Sequence, residues 1–343
     1  MNSYTRHGCH AVRVSTCHSR AWRHGAEVAA DFPLADLDHW LAQPETLVWL
    51  DLLQPEDDVL QSLAGELSLD PLAVEDAIEP RERPKATWHA NHIFLTCYST
   101  GLVEVPDDGY RLEIGRISAF VLRNALITVR TDDRVDMEAM LGRWNDDGLL
   151  DHGVAALVHG LLDQLVDGHF ETIETMDDLL ERLEDLLFDT SIKTRLIQQR
   201  VFGLRKALVQ LRRVVLPMRE VVTSVMRFRS ERDRSLSTEL DGNFNDLYDH
   251  VIRAAEWTES LRDMVSSVFE TNLSLQDARL NEVMKKLAAW AAIIAVPTAV
   301  TGWFGQNIPY PGFGDATGLV QSIVLMVVGT IGLYILFRKV DWI

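Results

Sequence analysis

The pattern of hydrophobic and polar positions changes character along the chain. Over residues 31–135, DLDHWL and DDVLQSLAGEL repeat apolar residues at helical spacing. LVWLDLL, HIFLTCYST, GYRLEIGRISAFVL and ALITVRT are instead rich in β-branched and aromatic residues and bounded by turn formers, so they predict strands. Arg123-Asn124, between two apolar runs, predicts a hairpin turn. Helices placed before and between strands predict an α/β domain with αβα layers.

Residues 136–230 change to a helical period. From Val154 to Phe188 the apolar residues fall three and four apart, and a second such run extends from about Ser191 to Arg229. Together they predict a long antiparallel helical hairpin, with Pro217 kinking its second arm. The acids of the first arm, among them Glu171, Glu174, Asp177 and Asp178, read as a solvated face. After a polar break at 231–242, no Gly occurs from Phe244 until Gly302 and no Pro until Pro297. That predicts one helix on the order of 90 Å long. Leu247, Val251, Ala254, Thr258, Leu261, Val265, Val268, Asn272 and Leu275 form a candidate packing seam along it.

The last part of the chain is apolar. Leu287 to Phe304 and Leu319 to Phe337 contain no charged residue, and each is long enough for a transmembrane helix. Lys285-Lys286 precede the first span and Arg338-Lys339 follow the second, while the loop between has Asp315 as its one charge. The positive-inside rule puts both termini in the cytosol and the loop outside. The expected layout is a loosely ordered tail (1–30), a cytosolic α/β and helical-hairpin domain (31–243) and a stalk helix (244–286). It continues with a first transmembrane helix (287–304), an extracytoplasmic loop (305–318), a second transmembrane helix (319–337) and a cytosolic tail (338–343).

Composition narrows the function. The formal net charge of −18 argues against nucleic-acid partners and for cation binding. Three cysteines (Cys9, Cys17, Cys97) form no disulfide framework, which fits a reducing cytosol, and no signal-peptide core opens the chain. His7, Cys9, His10, Cys17, His18 and His24 raise a metal-binding tail, but no spacing matches a tetrahedral site and a poorly ordered terminus is the preferred reading. No nucleophile–base set or phosphate loop appears, so neither an enzyme nor an organic cofactor is expected. His169 and His250 stand alone in the sequence and read as structural.

Glu270, Asp277, Met284, Ala291 and Thr298 are spaced by seven. On one helix they stack along one face, which in a parallel oligomer could line an axial pathway. From spacing alone, ordinary stalk positions are the better reading.

Several stretches together resemble the CorA family of divalent metal-ion transporters. They are DPLAVEDAIEPRERPK (70–85), ALVHGLLDQLVDGHF (156–170), LRRVVLPMREVV (211–222), FNDLYDH (244–250) and LNEVMKKL (280–287), in order before two terminal spans. The family signature Gly-Met-Asn stands here as Gly305-Gln306-Asn307. The resemblance implies a funnel-shaped homopentamer in the cell membrane, with the first span lining a gated pore for Mg²⁺, and with Co²⁺ or Ni²⁺ as further ions. It implies Asn307 at the outer mouth, Thr298, Ala295, Leu287 and Met284 facing the pore, and Glu270 in the stalk. It also implies a regulatory Mg²⁺ site between subunits on Asp76 and Asp246, with Glu75 beside it.

These roles make physical sense. Mg²⁺ keeps most of its water, so a ring of amide oxygens can select the hydrated ion. Rings of Leu287 and Met284 can close the path by dewetting. Gln306 departs from the signature and leaves ion identity open. The zinc-transporting ZntB branch also departs there, so a zinc transporter is the first alternative. A membrane-anchored cation sensor without flux is the second.

Overall fold

The computed structural model describes residues 16–343 apart from 80–81, 106–108, 147–148, 188–193, 233–238 and 307. The chain divides into two compact units, Met1–Ser266 and Ser267–Ile343.

The first unit is built on a seven-stranded sheet. Its strands are β1 (Thr16–Arg23), β2 (Ala26–Ala30), β3 (Thr46–Leu53), β4 (Lys85–Trp88), β5 (Ile93–Val105), β6 (Gly109–Val121) and β7 (Ala125–Arg130). Their order is β2-β1-β3-β7-β6-β5-β4. β3 and β7 pair in parallel, and the other neighbours are antiparallel. The central strand β3 is buried on both faces because its alternate residues serve two cores. Val48, Leu50 and Leu52 pack with α1 (Leu37–Leu41), α2 (Asp57–Leu67) and α3 (Pro71–Ile78). Leu47 and Trp49 pack with α4 (Met137–Asp146), α5 (Val154–Leu187), α6 (Thr194–Arg232) and the first turns of α7 (Glu239–Phe304). This is the expected αβα layering. The Arg123-Asn124 turn closes the β6–β7 hairpin, and Asn124 Nδ2 donates to the carbonyls of Leu41, Gln43 and Thr46.

Asp51 is the buried charge of β3. Arg130 Nη2 donates to its Oδ2 at 2.6 Å and Thr128 Oγ1 to its Oδ1 at 2.7 Å. These partners sit on β7, beside it in register, so the carboxylate is satisfied where removing one partner would strand it.

The expectation of a loose tail over 1–30 is corrected for residues 16–30, which form β1 and β2. Residues 1–15, with His7, Cys9 and His10, lie outside the described residues. β1 pairs with β3 over its whole length, from Thr16↔Leu53 to Arg23↔Thr46. That pairing is long-range, and a strand of mostly polar residues with Trp22 as its one large apolar anchor carries little local signal. Cys17 and His18 are adjacent in the strand and so face opposite sides of the sheet, which is a poor start for a shared metal site.

The long helices run close to their expected bounds, and α6 remains helical through Pro217. α7 starts at Glu239, before Phe244, and stays helical to Phe304, with Pro297 inside it. Leu247, Val251, Ala254, Thr258, Leu261 and Val265 of the seam are all buried.

The second unit contains the end of α7 and α8 (Ala316–Lys339). Their most apolar windows reach mean hydropathies of 1.6 and 2.2. Ala289, Ile293 and Val300 of α7 are buried. Gly329 of α8 lies so near that a Cβ there would stand 2.8 Å from Val296 Cγ1. Trp290 and Tyr334 add a tilted ring contact at 6.5 Å.

Candidate ion pathway and cation sites

At about 100° per residue, Ala289, Ile293, Val296 and Val300 form one face of α7, the one covered by α8. Met284, Leu287, Ala291, Ala295 and Thr298 fall on the opposite face. All five are exposed, Met284 at 59 % and Leu287 at 71 %. Glu270 and Asp277 continue the same stripe and are exposed too. The stripe is thus apolar and small-walled where the helix is most hydrophobic, and acidic before that. Thr298 Oγ1 donates back to the Ile294 carbonyl at 3.1 Å, so its oxygen lone pairs remain available.

Gly305 ends the helix. Its N–H donates to the Thr301 carbonyl at 2.8 Å, and a Cβ at this position would stand 2.8 Å from that same oxygen. Glycine is therefore required by close approach. Gln306 follows, exposed, with its N–H directed to the Trp303 carbonyl at 3.3 Å. Asn307 lies outside the described residues. Beyond it the loop folds on itself, with Tyr310 stacked edge-on to Phe304 at 5.0 Å and its hydroxyl donating to the Phe304 carbonyl at 3.2 Å.

In the first unit, α3 is set by its start. Asp70 caps it by accepting from the Leu72 N–H at 2.9 Å, and Pro71 supplies the first helical position. The helix buries Ala73, Val74 and Ala77, which leaves Glu75 exposed and Asp76 half-buried. Lys85 Nζ donates to Asp76 Oδ2 and to Glu82 Oε2, both at 2.7 Å. Burial opposes the Lys85 charge, but these carboxylates outweigh it and hold its pKa above the ordinary value.

Asp246 lies in the third turn of α7, exposed, on the other side of the sheet from α3. Within one chain the sheet stands between Asp76 and Asp246, so a cation held by both needs two copies.

Asp246 has a neighbour that the sequence reading did not use. Its Oδ2 is 3.8 Å from His250 Nε2. His250 in turn offers a ring nitrogen within 4.8 Å of carboxylate oxygens of Asp163 and Asp167 on α5. All three side chains are half-buried. His250 is thus part of a cluster, which corrects the reading of this histidine as isolated. The signal was present: Asp163–Asp167 and Asp246–His250 are both i, i+4 pairs, each on one face of a helix. The missing information was that α5 and α7 meet.

Arg143 of α4 closes this cluster, its Nη1 on Asp163 Oδ2 at 2.9 Å and its Nη2 on Asp167 Oδ2 at 2.6 Å. Burial, and then the charge of Asp167, push the Asp163 carboxyl above the usual range. His250 Nδ1 is buried and has no hydrogen-bond partner among the described residues. The donor set of two carboxylates and an imidazole suits a divalent cation, and the Arg143 guanidinium stands where its charge would be needed. His169 keeps the role expected of it. It is buried, its Nε2 donates to the Tyr98 carbonyl at 2.8 Å, and burial pushes its pKa down to about 4.

The model of the "CorA-like Mg2+ transporter protein" family matches residues 44–339. The chain belongs to this family, which is one of metal-ion transporters and not of enzymes. The "Cobalt/magnesium transport protein CorA" of Thermotoga maritima is 29 % identical over 291 residues, covering 83 % of this chain and 80 % of the relative. The "Zinc transport protein ZntB" of Yersinia enterocolitica is 26 % identical over 184 residues, about half of each chain at 53 % and 54 %. Among solved structures, the complete CorA magnesium transporter of Methanocaldococcus jannaschii superposes with a TM-score of 0.72 at 22 % identity, over 95 % of this chain and 98 % of the other. The shared fold takes in the α/β domain, the long helices and the two terminal apolar helices.

Proposed function

We propose that copies of this chain assemble, as a pentamer by family resemblance, around the exposed stripe of α7 and conduct divalent cations through it, Mg²⁺ first and Co²⁺ or Ni²⁺ with it. The observation that carries this reading is the division of α7 into two faces. One is buried beside α8, and the other, from Glu270 to Thr298, is exposed in the single copy. Met284 and Leu287 form the apolar gate, and Ala291, Ala295 and Thr298 leave room for an ion with its water. Asn307 forms the selecting ring at the mouth, with Gln306 beside it. The protein lies in the cell membrane with both termini in the cytosol, and the membrane potential drives entry at about 2.3 kcal/mol per charge per 100 mV.

Cytosolic cations close the pore. Asp76 and Glu75 of one subunit and Asp246 of the next hold a bridging Mg²⁺. Asp163, Asp167 and His250 extend the Asp246 side of that site, where a cation replaces Arg143. With the cation lost, the carboxylates repel, the subunits loosen and the pore opens. The imidazole in the cluster also favours Co²⁺, Ni²⁺ or Zn²⁺ over Mg²⁺, which supports the zinc-transport reading alongside Gln306.

Uptake into proteoliposomes tests this reading against a sensor without flux. Mg²⁺ entry that Ala295→Phe blocks supports the pore, and absence of entry for any divalent ion from folded, oligomeric protein rejects it.

A further inference from the structure

α6 carries nine arginines and one lysine against Glu220 and Glu231, a net of +8 in a chain whose net charge is −18. Part of this charge converges. A groove of about 670 Å³ between α6 and α7 is lined by Arg205, Arg212 and Arg213 of α6, Arg262 of α7, and Arg83 from the segment before β4. Two carboxylates pair with Arg212 and Arg262. Glu259 is shared by Arg212 and Arg262, and Asp263 pairs with Arg262 at 2.8 Å. Arg83 and Arg213 have no acidic partner among the described residues. These two leave the groove positively charged. The floor of the groove is aliphatic (Leu208, Val209, Leu216, Val265), and no aromatic side chain lines it among the described residues.

We propose that this groove binds a phosphate chain, a triphosphate group recognised by its charge and its oxygens. Guanidinium forks match phosphate oxygens in pairs, which a lysine cluster does not. Glu259 fixes Arg212 and Arg262 at a set separation, so part of the fork array is preorganised. Arg83, Arg213 and Arg262 come from three segments around one groove, so an extended polyanion offers oxygens to more of them than a single phosphate does. Without an aromatic surface to stack a base, free triphosphate and a nucleoside triphosphate bind alike. The bound chain bridges α6 to the helix that carries the pore stripe.

The test is calorimetric titration of the full-length protein in detergent, free of divalent cations, with inorganic triphosphate, ATP and orthophosphate. Triphosphate and ATP should saturate at one per chain with affinities within threefold of each other, and orthophosphate should bind at least tenfold more weakly. Arg83→Ala with Arg213→Ala should weaken triphosphate at least tenfold, Arg213→Lys should give an intermediate loss, and Arg195→Ala, on α6 outside the groove, should change it less than twofold. An unchanged melting temperature of the unliganded variants shows that they fold; should the double variant melt early, Arg213→Lys decides in its place. Absence of saturable binding, or equal loss in Arg195→Ala, overturns the proposal. ATP binding tenfold tighter than triphosphate overturns it too, because recognition would then lie in the nucleoside. Binding that appears only once the oligomer is dissociated would show that another copy fills the groove, and would equally overturn it.

Discussion

His250 Nε2 stands 3.8 Å from Asp246 Oδ2, one turn earlier on α7, and the same ring faces Asp163 and Asp167 of α5. Asp246 therefore stands beside groups able to ligate a cation, His250 on its own helix and Asp163 and Asp167 on α5. That set is held closed by an arginine, so a divalent ion entering it must displace Arg143.

Removing that competitor should raise affinity. Arg143→Gln is expected to bind Co²⁺ about tenfold more tightly, since a positive charge next to two carboxylates is lost. Its cation-free form should melt earlier, because Asp163 and Asp167 then repel without a counter-charge. Titration calorimetry and thermal unfolding with and without Co²⁺ check both, and an unchanged affinity would exclude Arg143 as a competitor.

Acid should weaken the same site early. Cation binding needs ionised Asp163, whose pKa is raised by burial and then by Asp167. As pH falls, Asp163 takes up its proton before an ordinary carboxyl would, and cation binding must expel it. Affinity is thus full well above the raised pKa and falls on approaching it from neutrality. In Asp163→Asn the remaining affinity should be lower at neutral pH and should fall less steeply with acid. An identical pH profile in wild type and variant would contradict this assignment.

His169 predicts a second acid effect, on stability. Its folded pKa of about 4 lies below the ordinary 6.5. Folding then favours the neutral ring, so its contribution is full above 6.5 and is lost as pH falls towards 4. His169→Gln keeps a donor for the Tyr98 carbonyl without the titration. Its melting temperature should fall less between those two pH values than that of the wild type, and parallel curves would contradict the account.

The two faces of α7 should separate function from folding. Gly329→Val drives a side chain into Val296 and should cost about 1–3 kcal/mol of stability. Ala291→Phe, on the exposed face, should leave melting unchanged and abolish cation entry. Equal thermal losses at the two positions would mean that the faces are not distinct.

Feedback is tested by Asp76→Ala with Asp246→Ala. These residues lie on opposite sides of the sheet in one chain, so their joint effect reports contact between copies. Transport by the double variant should persist at high internal Mg²⁺, and inhibition equal to that of wild type would remove them from the regulatory site.

Much of this was legible in the sequence because local periodicity carried it. The layered domain, the helical hairpin, the long helix and both terminal apolar helices follow from spacing and from runs without charge. The stripe from Glu270 to Thr298 was visible as a repeat of seven, but only the position of α8 distinguishes its exposed face from the buried one. What stayed hidden was set by long-range pairing. β1 is recognisable as a strand only beside β3, since its Cys, His, Ser and Arg residues have no strand pattern of their own. The Asp163–Asp167–His250 cluster needs α5 beside α7, and no local feature of either helix states that they meet.

On this reading a hydrated divalent ion passes along the α7 stripe and past Asn307. The most direct measurement is uptake of Mg²⁺ and of Zn²⁺ into proteoliposomes, each with and without a pH gradient, for the wild type and Asn307→Ala. Mg²⁺ entry should be indifferent to the gradient and lost in the variant. Zn²⁺ entry that follows the pH gradient, with no entry of Mg²⁺, would contradict this reading.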